Sequence, residues 1–126
     1  MDNNITVHCL VLGDIPPDEC VFPIDVMKEN KFFELKEKIK DKKKNDFANI
    51  DANKLKLWKV NIYLDIPNKK LNALKANKNV NIEEMLGGKV LRFIDKICKA
   101  FPDKLSDECI HIIIQHSAST VSFNRW

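Results

Sequence analysis

Lys54-Leu55-Lys56-Leu57-Trp58-Lys59-Val60 is the stretch that decides the fold. Side chains along a strand point alternately to its two faces, so Leu55 and Leu57 turn inward while Trp58 and Val60 fall on the other face. This strand, about 54–62, lies one basic helix after an apolar opening strand. Another apolar strand, Ile110-His111-Ile112-Ile113-Ile114, follows near the end. Strands at both ends with a helix between them predict an α+β roll.

Upstream, residues 5–12 read as a strand with Ile5, Val7, Cys9 and Val11 on one face. Gly13-Asp14 and Pro16-Pro17-Asp18 are turn chemistry. Residues 20–26 return antiparallel, and Pro23, which cannot donate to a ladder, marks that strand as an edge or a bulge. Asn30 is the expected N-cap of a helix over about 31–44, with Phe32, Leu35 and Ile39 as its apolar stripe. Glu34 and Lys38 form an i,i+4 pair in the favourable order. Lys42-Lys43-Lys44 complements the helix dipole. That run reads first as a solvated face, with an anionic-partner or nuclear-import patch as the sharper alternative.

Asp46 to Asn53 reads as a polar loop. Beyond the third strand, Asp65-Ile66-Pro67 ends the element, 68–76 carries a weak helical pattern, and Gly87-Gly88 marks a turn. Val90 to Phe101 reads as a helix, with Leu91, Ile94, Ile97, Cys98 and Phe101 on one face and Pro102 ending it. Residues 109–115 make the last strand, and its near-continuous apolar character suits a central position. The arrangement predicts one domain over 1–116, with 117–126 as tail or linker.

The chain has 126 residues, 44% of them apolar and 31% charged, with a net charge of +3. One core can be filled. So small and interspersed an excess of base does not point to nucleic-acid binding. The polar start Met1-Asp2-Asn3-Asn4 is unlike a secretory signal, and the longest apolar runs are too short to span a bilayer.

Catalytic groups are sparse. Cys9, Cys20, Cys98 and Cys109 form no C-x-x-C pair, and no histidine stands at zinc-finger spacing. Neither a metal nor an organic cofactor is expected. The thiols read as buried and free, with a Cys9–Cys109 disulfide as the alternative. His8 and His111 approach each other if the terminal strands are neighbours, which with Cys9 or Cys109 would resemble a Cys–His pair. Strand alternation opposes it, since Cys109 and His111 share a face while His8 and Cys9 point oppositely. Adjacent acids such as Glu83-Glu84 diverge on a helix, and Gly87-Gly88-Lys89 lacks the rest of a phosphate loop. An enzyme is not expected.

The order of elements resembles the ubiquitin-like β-grasp: a mixed sheet with the first and last strands parallel in its middle, one main helix across it, and additional helices before the last strand. The stripe Phe32, Leu35, Lys36, Ile39, Asp41 and Lys42 is similar to ubiquitin's main helix, and Ile110-His111-Ile112-Ile113 to its final strand. The resemblance implies an exposed interaction surface at Trp58, His111 and Ile113. Trp58 itself reads either as an exposed anchor or as packed beneath the second helical region or the tail. No terminal Gly-Gly is seen, so conjugation as a modifier is not expected.

A closer resemblance is to the N-terminal domain of Crinkler effectors of oomycetes and some fungi. It rests on Leu10-Val11-Leu12-Gly13-Asp14, Val21-Phe22-Pro23-Ile24, the Leu-x-Leu-Trp-Lys-Val of 55–60, and a closing His-Ile-Ile-Ile-Gln. It implies an N-terminal module that directs a modular effector, secreted without a recognisable signal peptide, into a host cell, with many members acting in the host nucleus. Leu55, Leu57, Trp58, Lys59 and Val60 stand where oomycete members carry their Leu-Phe-Leu-Ala-Lys translocation motif. The implied partners are host or self proteins, and the apolar third strand with the Pro-limited edge predicts self-association as a homodimer. An intracellular ubiquitin-like adaptor and a small thiol enzyme are the competing readings.

Overall fold

The opening strand forms as its alternation requires. β1 (Asn4–Val11) places Val7, Cys9 and Val11 in a core, with Ile5 packed against it. The computed structural model describes residues 4–44, 54–77, 80–102, 105 and 108–116. The predicted loop at 46–53 and tail at 117–126 therefore lie outside the described residues. A four-residue helix, α1 (Pro17–Cys20), occupies the predicted turn, and β2 (Phe22–Met27) returns antiparallel to β1. Phe22, Ile24 and Val26 alternate inward.

The helix α2 (Phe32–Lys42) buries Phe32, Leu35 and Ile39 completely. Each such side chain is worth about 1.5–3 kcal/mol of transfer free energy. Asn30 is not its N-cap. Lys31 is, and its N–H is met at 3.0 Å by the Glu34 carboxylate. Asn30 is held instead by its backbone, which donates to the Met27 carbonyl and accepts from Ile97 N–H.

After β3 (Leu55–Tyr63) come α3 (Lys69–Ala76) and α4 (Ile82–Leu86). Asn68 and Asn81 cap them, accepting from Leu71 N–H and Glu84 N–H at 2.9 Å each. Both are favoured cap residues. Gly87 closes α4 in the left-handed region, φ 66°, where lack of a Cβ removes the strain.

The long helix predicted over Val90–Phe101 does not form. Its first residues are a strand, β4 (Lys89–Leu91), antiparallel to Leu57–Lys59, and only α5 (Ile97–Ala100) is helical. The intervening turn serves α2. Phe32 and Phe33, whose N–H groups have no partner inside the helix, donate to the carbonyls of Asp95 and Phe93 at 3.0 Å each. A helix through 93–95 would have used those carbonyls internally. Of the predicted stripe, Ile97 and Phe101 are buried while Ile94 is 48% exposed.

β5 (Cys109–His116) completes a five-stranded sheet of order β2-β1-β5-β3-β4. β5 runs parallel to β1 (Cys9↔Ile112, Leu10↔Ile113, Val11↔Ile114) and antiparallel to β3. The terminal strands are thus neighbours in mid-sheet, β2 is an edge as Pro23 requires, and the architecture is a ubiquitin-like β-grasp. Both sheet faces are covered. One core lies under α2, with Ile112, Ile114, Leu55 and Leu57. The other gathers Leu10, Val60, Ile62, Ile110 and Ile113 against Leu71, Leu74, Ile82 and Leu86.

Candidate functional site

The 55–60 segment is built into the middle of this sandwich. Leu55 and Leu57 are buried on the α2 side, and Val60 is buried on the other. Lys59 is half-buried on the α2–α5 side: its ammonium donates to the Ala100 carbonyl at 2.6 Å and lies 5.3 Å from the Phe101 ring centroid. Trp58 is half-buried against the α3–α4 side. Its indole Nε1–H donates to Gln115 Oε1 at 3.0 Å, and the Lys56 ammonium sits 4.8 Å above its ring. Close packing there is measured by Gly88, where a Cβ would meet Ile82 Cγ2 at 2.5 Å and Trp58 Cε3 at 3.3 Å.

The expected exposed surface of Trp58, His111 and Ile113 is therefore corrected. Trp58 and Ile113 do face each other across β3 and β5, but Ile113 is fully buried and His111 is 3% exposed. The physical reasons differ: the α3–α4 segment lays Leu71, Leu74, Ile82 and Leu86 over Ile113, whereas His111 is stacked on His8 and met edge-on by Phe101 of the α2-side core. Of the two readings of Trp58, packing beneath the second helical region is the one observed.

His111 has a different task. The pairing of β3 with β5 shifts register between Lys59 and Ile62, a bulge beside His111. Its Nδ1 accepts the backbone N–H of His8 at 2.9 Å, so a side chain supplies a link between β1 and β5 one residue before their ladder begins. The two imidazoles stack with centroids 5.0 Å apart, and Phe101 meets His111 edge-on at 6.4 Å. His8 Nδ1–H donates to the Cys109 carbonyl at 3.1 Å. That nitrogen is turned to a main-chain oxygen and not to a sulfur, so the Cys–His geometry that nucleophilic catalysis needs is not what brings His8 and Cys109 together.

The four cysteines are free, and no Cys9–Cys109 disulfide forms. Burial pushes the Cys9 thiol far up, which disfavours the thiolate. The half-buried Cys20 is also raised, first by desolvation and then by the Asp14 charge. Among the described residues no cluster of three His, Cys, Asp or Glu could hold a metal ion. A groove of about 510 Å³ beside β2 is lined by Pro23, Asp25, Glu37, Lys38, Asp41 and Lys42, apart from the imidazoles and sulfurs. No helix of the described residues is long and apolar enough to cross a membrane. At the end of the lysine run, Lys44 lies 3.7 Å from exposed Asp41, and Lys43 lies 4.6 Å from the Phe22 ring centroid.

Sequence reasoning missed a different surface. Phe33, Phe93 and Ile94 stand exposed at the junction of α2 with the β4–α5 turn. Reading Val90–Phe101 as one helix put Ile94 on a buried stripe and hid them. The signal available was Phe33, which lies off the Phe32/Leu35/Ile39 stripe and is too large to be exposed without comment.

Against known proteins, the family model for the Crinkler effector protein N-terminal domain matches residues 5–115. Crinkler effector protein 1 of Rhizophagus irregularis is 34% identical over 119 residues, which is 94% of this chain. The chain spans only 23% of that relative's length.

Proposed function

The chain belongs to the Crinkler effector protein N-terminal domain family, and from that premise we propose that it is a non-enzymatic, ubiquitin-like module that directs an effector into a host cell and binds proteins through its surface. The observation that carries the reading is the family match over residues 5–115, the stretch that builds the two-core β-grasp. The packing of the two cores, with the imidazoles committed to main-chain partners, supports a role played by surfaces.

In this reading Leu55, Leu57, Trp58, Lys59 and Val60 serve targeting by building the fold that is recognised. Leu55, Leu57 and Val60 are buried and reach a receptor only if the sheet opens; Lys56, Trp58 and Lys59 offer the accessible part. Homodimerisation belongs to the same proposal, with the outer edges of β2 and β4 as the backbone open to pairing.

The test is a tagged chain tracked from producing cells into host cells and host nuclei. Failure to leave the producer sinks the targeting role and favours an intracellular adaptor. Leu57→Ala and a Trp58→Phe variant of unchanged fold separate a folded epitope from a displayed peptide. Sedimentation of wild type decides self-association: a wild-type monomer at high concentration rules out a stable dimer.

A further inference from the structure

Phe33, Phe93 and Ile94 are 45%, 53% and 48% exposed, although side chains of this size are mostly covered. They spring from joined backbone. Phe33 donates its N–H to the Phe93 carbonyl at 3.0 Å, and Ile94 follows in the same turn. The turn is not a free loop: Phe32 N–H reaches Asp95, Ile97 N–H reaches Asn30 and Cys98 N–H reaches Lys28, all within 3.0 Å. Three large apolar side chains are thus held outward on a fixed mount.

Cations ring this tip. Lys31 and Lys96 face each other across an antiparallel bridge, Arg92 precedes Phe93, and all three are exposed. The Lys36 ammonium lies 5.5 Å from the Phe93 ring centroid. Of the nearby carboxylates, Asp95 is ion-paired, 3.9 Å from Arg92 and 3.6 Å from Lys99, while Glu34 accepts the backbone N–H of Lys31 and keeps its charge. Glu37 lines the groove beside β2, and Glu29 is outnumbered.

We propose that this tip docks on an anionic membrane surface. Phe33, Phe93 and Ile94 enter the boundary between headgroups and acyl chains, while Lys31, Arg92 and Lys96 meet lipid phosphates and carboxylates. A helical peptide partner would ask for a groove, and the groove beside β2 is lined by other residues, Asp25 and Lys38 among them. The inference goes beyond the targeting role, because lipid binding is measured without any host cell.

The experiment is sedimentation of the full chain with large vesicles, either pure phosphatidylcholine or roughly one-third phosphatidylserine. Partition onto the serine-lipid vesicles is expected to be at least roughly tenfold stronger, and to weaken with salt. The double variant Phe93→Ser/Ile94→Ser should lose roughly tenfold on both compositions, and Arg92→Glu/Lys96→Glu should erase the preference for anionic lipid. Arg92, Phe93, Ile94 and Lys96 are all exposed, so thermal melts of the variants should match wild type. Wild-type binding undiminished in the serine variant overturns the proposal, as does no sedimentation at all. Capture of a soluble glutamate-rich amphipathic peptide, with vesicles left unbound, overturns it in favour of a protein partner.

Discussion

The two faces of the sheet are covered in different ways. On one, a helix of eleven residues lays Phe32, Leu35 and Ile39 along β1, β5 and β3, with Ile97 and Phe101 from the α5 turn completing the cover. On the other, α3 and α4, eight and five residues long, share the work, each begun by an asparagine cap. A short helix has little intrinsic stability. The second cover therefore depends on its caps and on the apolar side chains it lays down, whereas the first draws on a continuous stripe. The contrast also explains why a strand pattern similar to ubiquitin's does not yield a similar exposed patch: here the corresponding face carries its own lid.

The sharpest break comes from the first face. Phe32→Ala should cost about 3–5 kcal/mol of unfolding free energy in a urea titration, because a fully buried phenyl leaves a cavity under α2. Leu86→Ala on the second face should cost about 2–3 kcal/mol, toward the lower end for leucine truncation, since short helices can settle into the gap. Equal losses would mean the two covers are equally rigid. Gly88→Ala should cost about 1–3 kcal/mol by overpacking Ile82 and Trp58, and its effect should appear first as faster amide exchange in α4.

Between the faces, His111→Ala removes the acceptor of His8 N–H and should cost about 1–3 kcal/mol. A thermal melt indistinguishable from wild type would show that the link is dispensable. The smallest effect is a pH dependence from Cys9. Its folded pKa is raised by burial, so the unfolded chain ionises first, above about 8.5. The thiol's contribution is complete below that pH and falls as pH rises, by at most about 1.4 kcal/mol per unit. Alkylation of the native protein should label Cys20 and Cys98 before Cys9 and Cys109, in keeping with their burial; the reverse order would contradict the core described above.

Much of this architecture was legible because it is written in short-range periodicity. Val7-x-Cys9-x-Val11, Leu55-x-Leu57 and the Phe32/Leu35/Ile39 stripe each announce a face, and Pro23 announces an edge. The failure at 90–101 came from the same logic. Leu91, Ile94, Ile97, Cys98 and Phe101 have helical spacing, yet the segment is claimed by partners distant in sequence: β3 takes Lys89–Leu91, and the first turn of α2 takes the carbonyls of Phe93 and Asp95. Periodicity carries no information about such tertiary demands. The burial of Ile113 was hidden for a related reason. Whether a strand face is open depends on what the α3–α4 segment does, and its pattern, Leu71, Leu74 and Lys75, was weak. The motif at 55–60 was found as a sequence, but its depth in the sheet could not be read from the residues themselves.

The unfinished amides at the head of α2 have a consequence for biogenesis. Residues 32 and 33 leave the ribosome long before residues 93 and 95 are made, so the helix must wait, its leading turn frayed into water, for oxygens supplied by chain not yet translated. An arrested nascent chain that stops short of Arg92 should hold α2 as a partly melted segment available to chaperones, and the same chain extended past Phe101 should release it.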